Sequence, residues 1–434
     1  MSKNYQKKTS RSRRKLHKLD GRAVQVDTAK GKASFQLMLP LPELMEDMTG
    51  LIEQTCSQVG LLMVKGLIDE EVESLVGGRY AHDDQRQGYR WGTEEGSIIF
   101  AGRKVAIDRP RVRSVDGGEI PLRRYAAFRK PTHMEKSVQQ RILRCVSMRD
   151  YEGVLEPLCD GYGIDKSSVS RHWKAASAKQ MWQLMERPLG DLSIDVLMID
   201  GKGFGDYTVI TALGIDTEGR KHILGLWSGA TENAVVCGQL LDELIERGLP
   251  AEQAYLFVLD GSAALSKAVK ARFGERALIQ RCYIHKKRNI LKYLPKKYHR
   301  IFLLKWNQVW VQSEQADAKR ELSKVRTWLK ATSEGAFRSL EEAGDQLLTV
   351  YTLNLSEALR RSFRSTNLIE NVYSRAEDMT KRVKHWRNDN MVWRWSGAVL
   401  LRAEKGFRRI RGYQELAILT NALAARIDGK QATG

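Results

Sequence analysis

No stretch of the chain holds the run of about 18 apolar residues that a bilayer-spanning helix needs, so nothing is expected to cross a membrane. No leader of the secretory type is expected either: the first 22 residues are polar and basic, without an apolar centre. Cysteine is scarce. Cys56, Cys145, Cys159, Cys237 and Cys282 are scattered and odd in number, which speaks against a disulfide framework and for a reducing cytosol. No internal repeat recurs at a fixed period, which sets repeat arrays aside.

What is abundant is positive charge. Against 52 Asp and Glu stand 72 Lys and Arg, a net charge of +20, with a pI near 9.7. That excess goes beyond what solubility requires and favours a polyanionic partner, with nucleic acid as the first choice. A hydrophobic fraction of 42% over 434 residues supports real cores, and about 100–200 residues per domain implies two to four of them. The expectation is a cytoplasmic, nucleoid-associated protein.

Along the chain, residues 1–33 form a Lys/Arg/Ser-rich tail expected to be disordered. Residues 34–85 are expected to be helical, with apolar residues at helical spacing over 41–78. Residues 86–125 carry glycines and the alternating pieces "KVAID" and "EIPL", the pattern of a small β unit with a basic rim. Residues 126–189 return to helices, and "GIDKSSVSRHW" matches the second helix of a helix-turn-helix. There Lys166, Ser168 and Arg171 would face DNA while Val169 and Trp173 face inward; an ordinary pair of helices fits the same spacing. From 190 three apolar strands follow closely, then helix, strand, helix and strand, which indicates a mixed sheet with helices on its faces. Residues 285–360 are almost wholly helical and charged, with Trp306 and Trp310 as core candidates.

Two acids end apolar strands: Asp200 after "VLMI" and Asp260 after "YLFVL". Each alone also reads as a turn former before glycine. Together, on neighbouring strands, their carboxylates would repel unless cations neutralise them. Oxygen ligands of this kind suit Mg²⁺, with Mn²⁺ as a substitute, and such ions serve phosphodiester chemistry. Glu370 is the best-placed third carboxylate. It stands in the first turn of "RSTNLIENVYSRAEDMTKRVKHW", residues 364–386, beside an apolar stripe of Ile369, Val372, Ala376, Met379 and Val383. As a first-turn acid it also suits the helix dipole.

Asp200, Asp260 and Glu370, with the helical stretch before the Glu, resemble the DDE transposases of the mutator-type insertion-sequence family. "DG" with Leu265 after it looks like that family's second-Asp motif, "QRCYIHKKRNI" like its Cys-x-x-His motif, and "STNLIENVYSRAEDMTKR" like its Thr-Asn-x-x-Glu segment. The resemblance implies a ribonuclease H-like catalytic core over 190–284 and 361–400. It places an α-helical insertion at 285–360 and leaves 401–434 as a basic helical segment. It also implies Mg²⁺-dependent cleavage at transposon ends and strand transfer into target DNA, by a homodimer or larger oligomer acting on double-stranded terminal inverted repeats. A decayed, non-catalytic DNA-binding regulator is the rival. Lys286, Lys287 and Arg288, and later Arg382, Lys384 and Arg387, are the expected phosphate contacts. Cys282 and His285 lack a second ligand pair at usable spacing, which favours a structural motif over a zinc site.

Overall fold

A computed structural model describes residues 25–27, 32–34, 48–79, 86–148, 151, 161–162, 165–229 and 234–431. The chain divides into two compact units, Met1–Met134 with Glu152–Asp165, and Glu135–Tyr151 with Lys166–Gly434. Most of the basic tail lies outside the described residues. Within it, β1 (Gln25–Asp27) and β2 (Lys32–Ser34) pair antiparallel, so part of the stretch expected to be disordered forms local β structure. Charge density reports solvation and does not register a three-residue pairing.

In the first unit, α1 (Met48–Val76) presents Val64, Ile68, Val72 and Val76, one residue every four, as a buried stripe. The stripe packs on Ile98, Val105 and Val112 of a long hairpin, β3 (Gly88–Phe100) and β4 (Arg103–Ser114). Ala101 and Gly102 close it, both at positive φ, the backbone that suits the twist of a two-residue hairpin turn. Two short strands, β5 (Glu119–Ile120) and β6 (Gly161–Tyr162), also pair with β4. The helix α2 (Arg123–Phe128) starts on Glu71, whose carboxylate accepts from the backbone N–H groups of Arg123 and Arg124 at 2.7 and 2.9 Å. That anion satisfies free donors at the positive end of the helix.

After α3 (Pro131–Ile142), the second unit runs through α4 (Lys166–Met185) into a five-stranded sheet. Strands β7 (Ile194–Phe204), β8 (Tyr207–Asp216) and β9 (Lys221–Gly229) form an antiparallel meander. Then α5 (Ala234–Glu246) leads to β10 (Tyr255–Leu259), parallel to β7, and α6 (Ala263–Phe273) leads to β11 (Ala277–Arg281), parallel to β10. The order across the sheet is β11-β10-β7-β8-β9. Strand parity divides the core: Leu197, Ile199 and Phe257 join α5 and α6 on one face, while Val196, Met198, Leu256 and Val258 face the later helices. Burial on both faces explains why these strands read as unbroken apolar runs.

Six helices fill the stretch between β11 and the Glu370 helix: α7 (Tyr283–Lys292), α8 (Lys296–Trp310), α9 (Gln315–Thr332), α10 (Glu334–Ala343), α11 (Thr349–Thr352) and α12 (Glu357–Phe363). Trp306 and Trp310 are buried there with ring centroids 5.3 Å apart, as core residues. Three helices complete the chain: α13 (Asn367–Thr380), α14 (Asp389–Glu404) and α15 (Leu416–Gln431). Glu404 accepts from both terminal nitrogens of Arg187 at 2.8 Å and from the Ile223 N–H at 2.7 Å, which ties α14 to the sheet.

Two local expectations change. The helix expected over 364–386 ends at Thr380. Lys381 and Lys384 would stand three residues apart on a continued helix, where like charges oppose it. Trp386 instead packs edge-on against Phe204, centroids 5.4 Å apart. The helix expected to present Ser168 outward buries it beside Val169. The face of α4 with Trp173 lies against α14, with the Trp173 and Trp395 rings 4.3 Å apart. The turn that a helix-turn-helix requires just before α4 lies outside the described residues.

Candidate active site

The site begins with strand parity. Asp200 follows Ile199 on β7, and Asp260 directly follows Leu259, the residue paired with Ile199 on the neighbouring parallel strand. Side chains alternate faces along a strand. Asp200 therefore shares the face of Val196 and Met198, and Asp260 continues the row of Leu256 and Val258. That face is the one against which α13 packs. Tyr373 of α13 donates its hydroxyl to the Asp200 carbonyl at 2.6 Å, and Lys202 pairs with Glu377, so the helix is fixed along β7 at two points.

Asp260 also satisfies its turn-forming reading. One of its carboxylate oxygens accepts from the Ser262 N–H at 2.8 Å, and the Ser262 hydroxyl accepts from the Leu265 N–H at the start of α6. Gly261 adopts φ +123°, and a β-carbon there would meet the Arg281 guanidinium at 2.6 Å. The glycine after this acid is thus required by backbone conformation and by space.

Burial is strong at Asp200, which keeps 8% of its surface. Its carboxyl is pushed up to about 7, first by burial and then by the neighbouring charge of Asp260, with Glu370 adding to it and His285 opposing it. The three acids expected from sequence are therefore brought into one electrostatic neighbourhood. The sign of the linkage gives a test. A folded-state value raised above the ordinary 3.8 means stability that is complete below about pH 4 and is lost as pH rises through about 7. With chelator present, Asp200→Asn is expected to be more stable than the parent by about 2 kcal/mol near pH 8. The difference should close toward about pH 4, as read by denaturant unfolding; equal midpoints at both pH values would show that no charge conflict exists.

Around Glu370 the structure adds residues whose roles the spacing does not disclose. The Thr366 hydroxyl donates to Glu370 Oε1 at 2.8 Å. Cys282 Sγ and His285 Nδ1 each lie 3.3 Å from that hydroxyl. Burial pushes the Cys282 thiol up, yet hydrogen bonds with His285 and Thr366 outweigh it and hold the thiol below its ordinary value. The same bond to Cys282 raises His285 against the effect of burial, and Glu370 and Asp200 raise it further. Ligating atoms of Cys282, His285 and Glu370 lie within 4.8 Å of one another. The Cys-x-x-His pair is thus wired to the third acid through Thr366. Thr366 stands four residues before Glu370, in the Thr-Asn-x-x-Glu segment.

The expected phosphate contacts divide. Lys166, Arg171, Arg288, Arg382, Lys384 and Arg387 are exposed, and Lys287 is half-buried. Lys286 departs from expectation: its side chain is 3% exposed, and its ammonium is bonded to the Ser339 carbonyl and to Glu342. It is committed inside the fold and is not part of the basic surface. Ser168 is likewise turned inward. In the other unit, the β3–β4 hairpin carries exposed Tyr89 and Trp91, with the Arg86 and Arg113 guanidinium groups over their rings at 4.3 and 4.5 Å. No helix among the described residues is long and apolar enough to cross a membrane.

Comparison with known proteins places this arrangement. The transposase of insertion sequence element ISRM5 from Rhizobium meliloti (strain 1021) is 26% identical over 361 residues, covering 81% of this chain and 88% of that protein. The transposase of IS905 from Lactococcus lactis subsp. lactis (strain IL1403) is 27% identical over 298 residues, 67% and 73% of the two chains. That of IS256 in transposon Tn4001 from Staphylococcus aureus is 26% identical over 353 residues, 77% and 85%. The family description "Transposase, Mutator family" matches residues 42–409, a span that takes in the hairpin, the sheet, the helical insertion and all three acids, and the chain belongs to that family.

Proposed function

We propose that this chain cleaves double-stranded DNA at the terminal inverted repeats of a mobile element and joins the freed ends to target DNA. Asp200, Asp260 and Glu370 would be the catalytic and metal-holding residues. The observation that carries this reading is the convergence of an acid within β7, an acid directly after β10 and a helix acid on one face of the sheet. The sheet order supports a ribonuclease H-like core, with a three-stranded meander followed by two parallel strands. The first acid stands on the first strand, the second ends the fourth, and the third follows the helical insertion.

The donor set fits a hard divalent cation. Three carboxylates supply oxygen ligands only, and burial with like charge at Asp200 resists full ionisation until positive charge arrives. Asp200, Asp260 and Glu370 would hold Mg²⁺ or Mn²⁺, which when bound supplies activation of an attacking oxygen and stabilisation of the leaving one. The protein's own part is positional. Tyr373 and the Lys202–Glu377 pair hold α13 against β7, so that Glu370 faces the two aspartates. Exposed Arg382, Lys384 and Arg387 directly follow that helix and would grip phosphates beside the acids, while Lys166, Arg171, Lys287 and Arg288 extend the basic surface. Such contacts orient the duplex and make binding salt-dependent, whereas recognition of terminal repeats requires contacts to base edges. Two DNA ends call for at least a homodimer in the active assembly.

The test is a supercoiled plasmid carrying the candidate terminal repeats, incubated with the full chain and either Mg²⁺ or chelator. Nicked and linear plasmid, and later strand-transfer products, are expected with Mg²⁺ or Mn²⁺ and none with chelator. DNA that is retarded on a gel yet intact in both conditions would leave only a DNA-binding regulator.

A further inference from the structure

We infer that Thr366 is a positioning residue for Glu370: its hydroxyl, held by Cys282 and His285, aims one carboxylate oxygen and thereby sets how Glu370 faces the two aspartates. The inference rests on the reading that the three carboxylates form the site. Thr366 is fully buried and stands at the position that caps α13. A threonine there commonly accepts from a backbone N–H in the first turn, but this one makes no such capping bond. The hydroxyl is diverted to Glu370 Oε1, 2.8 Å away.

Proton accounting gives the network a direction. A hydroxyl has one proton and two lone pairs, and an ionised carboxylate only accepts. The single Thr366 proton therefore goes to Glu370, the nearest acceptor and a charged one. His285 Nδ1, 3.3 Å away, can then donate to a lone pair of the same oxygen, while the Cys282 sulfur, also at 3.3 Å, is a longer and weaker acceptor of the same hydroxyl. The Thr366 backbone N–H also points at the sulfur, 3.5 Å away. Cys282 is anchored in turn, since its N–H donates to the Leu259 carbonyl at 2.8 Å, one residue before Asp260. A continuous set of contacts thus runs from the strand end beneath the second acid to the carboxylate of the third.

The same three ligating residues could suggest a zinc ion, because their donor atoms lie within 4.8 Å of one another. The Thr366 oxygen argues otherwise. It stands at hydrogen-bond distance from all three, in the space that an ion shared by them would need. The motif is thereby a support for the third acid, with the threonine as its working atom.

Mn²⁺ binding to the full-length chain without DNA, followed by electron paramagnetic resonance, separates this from a merely structural role. Thr366→Val is expected to weaken Mn²⁺ binding about 10-fold or more, the scale on which supports of metal ligands act. Thr366→Ser, which restores the hydroxyl, should stay within about twofold of the parent, and Cys282→Ala should lose about threefold. The double variant Thr366→Val/Cys282→Ala should bind no more weakly than Thr366→Val, because both changes cut one chain of contacts. Parent-like affinity in Thr366→Val, additive losses, or one zinc per chain that disappears in Cys282→Ala would each overturn the inference. If Thr366→Val does not fold, Cys282→Ala decides, and parent-like affinity there overturns it. Asp200→Asn and Glu370→Gln keep the two levels apart. Binding retained by both variants removes the carboxylate site and the inference with it. Binding lost in both but kept in Thr366→Val removes the inference alone.

Discussion

Glu370→Gln is expected to reduce Mg²⁺-dependent DNA cleavage by about 1,000-fold or more, about 4 kcal/mol of barrier, while DNA retardation on a gel stays within about twofold of the parent. The substitution is close to isosteric, and the Gln carbonyl oxygen can still accept from Thr366. The apolar side of α13, with Ile369, Val372, Tyr373 and Ala376 buried, is untouched, so the helix should keep its place against β7. What disappears is one negative charge at the cation site. The exposed Arg and Lys residues that would hold DNA are unchanged, which is why cleavage and binding should part company. Parent-like nicking rates in Glu370→Gln would remove this residue from the chemistry, and a parallel loss of binding and nicking would make it a residue of the fold.

The core of this site is readable in the sequence because each of its two aspartates directly follows an unbroken apolar run, "VLMI" and "YLFVL", in strands buried on both faces. The third acid stands out only beside the other two, since an acid in the first turn of a helix is ordinary. Thr366 escaped as a positioning residue because the direction of a hydroxyl is set by tertiary neighbours 81 and 84 positions away in sequence. Lys286 was misread for a different reason. In "HKKRN" three cations in a row look equivalent, yet only position 286 stands four residues before buried Ile290, on the inward face of α7. That spacing was available and was outweighed by charge. The end of α13 was missed because an apolar stripe continues to Val383 while like charges beside it oppose the helix. Periodicity reports which face is buried; it does not report where the backbone stops.

Glu342→Ala is expected to lower stability by about 2–4 kcal/mol, although the side chain it truncates is half exposed. Arg281 ends β11 and Lys286 lies on α7, with side chains only 5% and 3% exposed. Both are neutralised by this one carboxylate, which reaches over from α10 and is itself 51% exposed. Arg281 Nη2 contacts its two oxygens at 2.8 and 3.1 Å. Truncation leaves two desolvated cations with no countercharge, and this costs more than removing a pair outright. Lys286→Met gives the contrast. It withdraws one cation with its hydrogen bonds and leaves the Arg281–Glu342 pair intact, so it should cost about 1 kcal/mol. Since the Lys286 ammonium is already bonded within the fold, Lys286→Met should also leave the salt dependence of DNA binding unchanged. Arg288→Ala, which removes an exposed cation, should flatten the slope of log affinity against log salt by about one. Denaturant midpoints and salt titrations of the same three variants check both halves. An unchanged midpoint in Glu342→Ala, or a salt slope that falls in Lys286→Met, would return the buried cations to the DNA-binding surface from which their burial removes them.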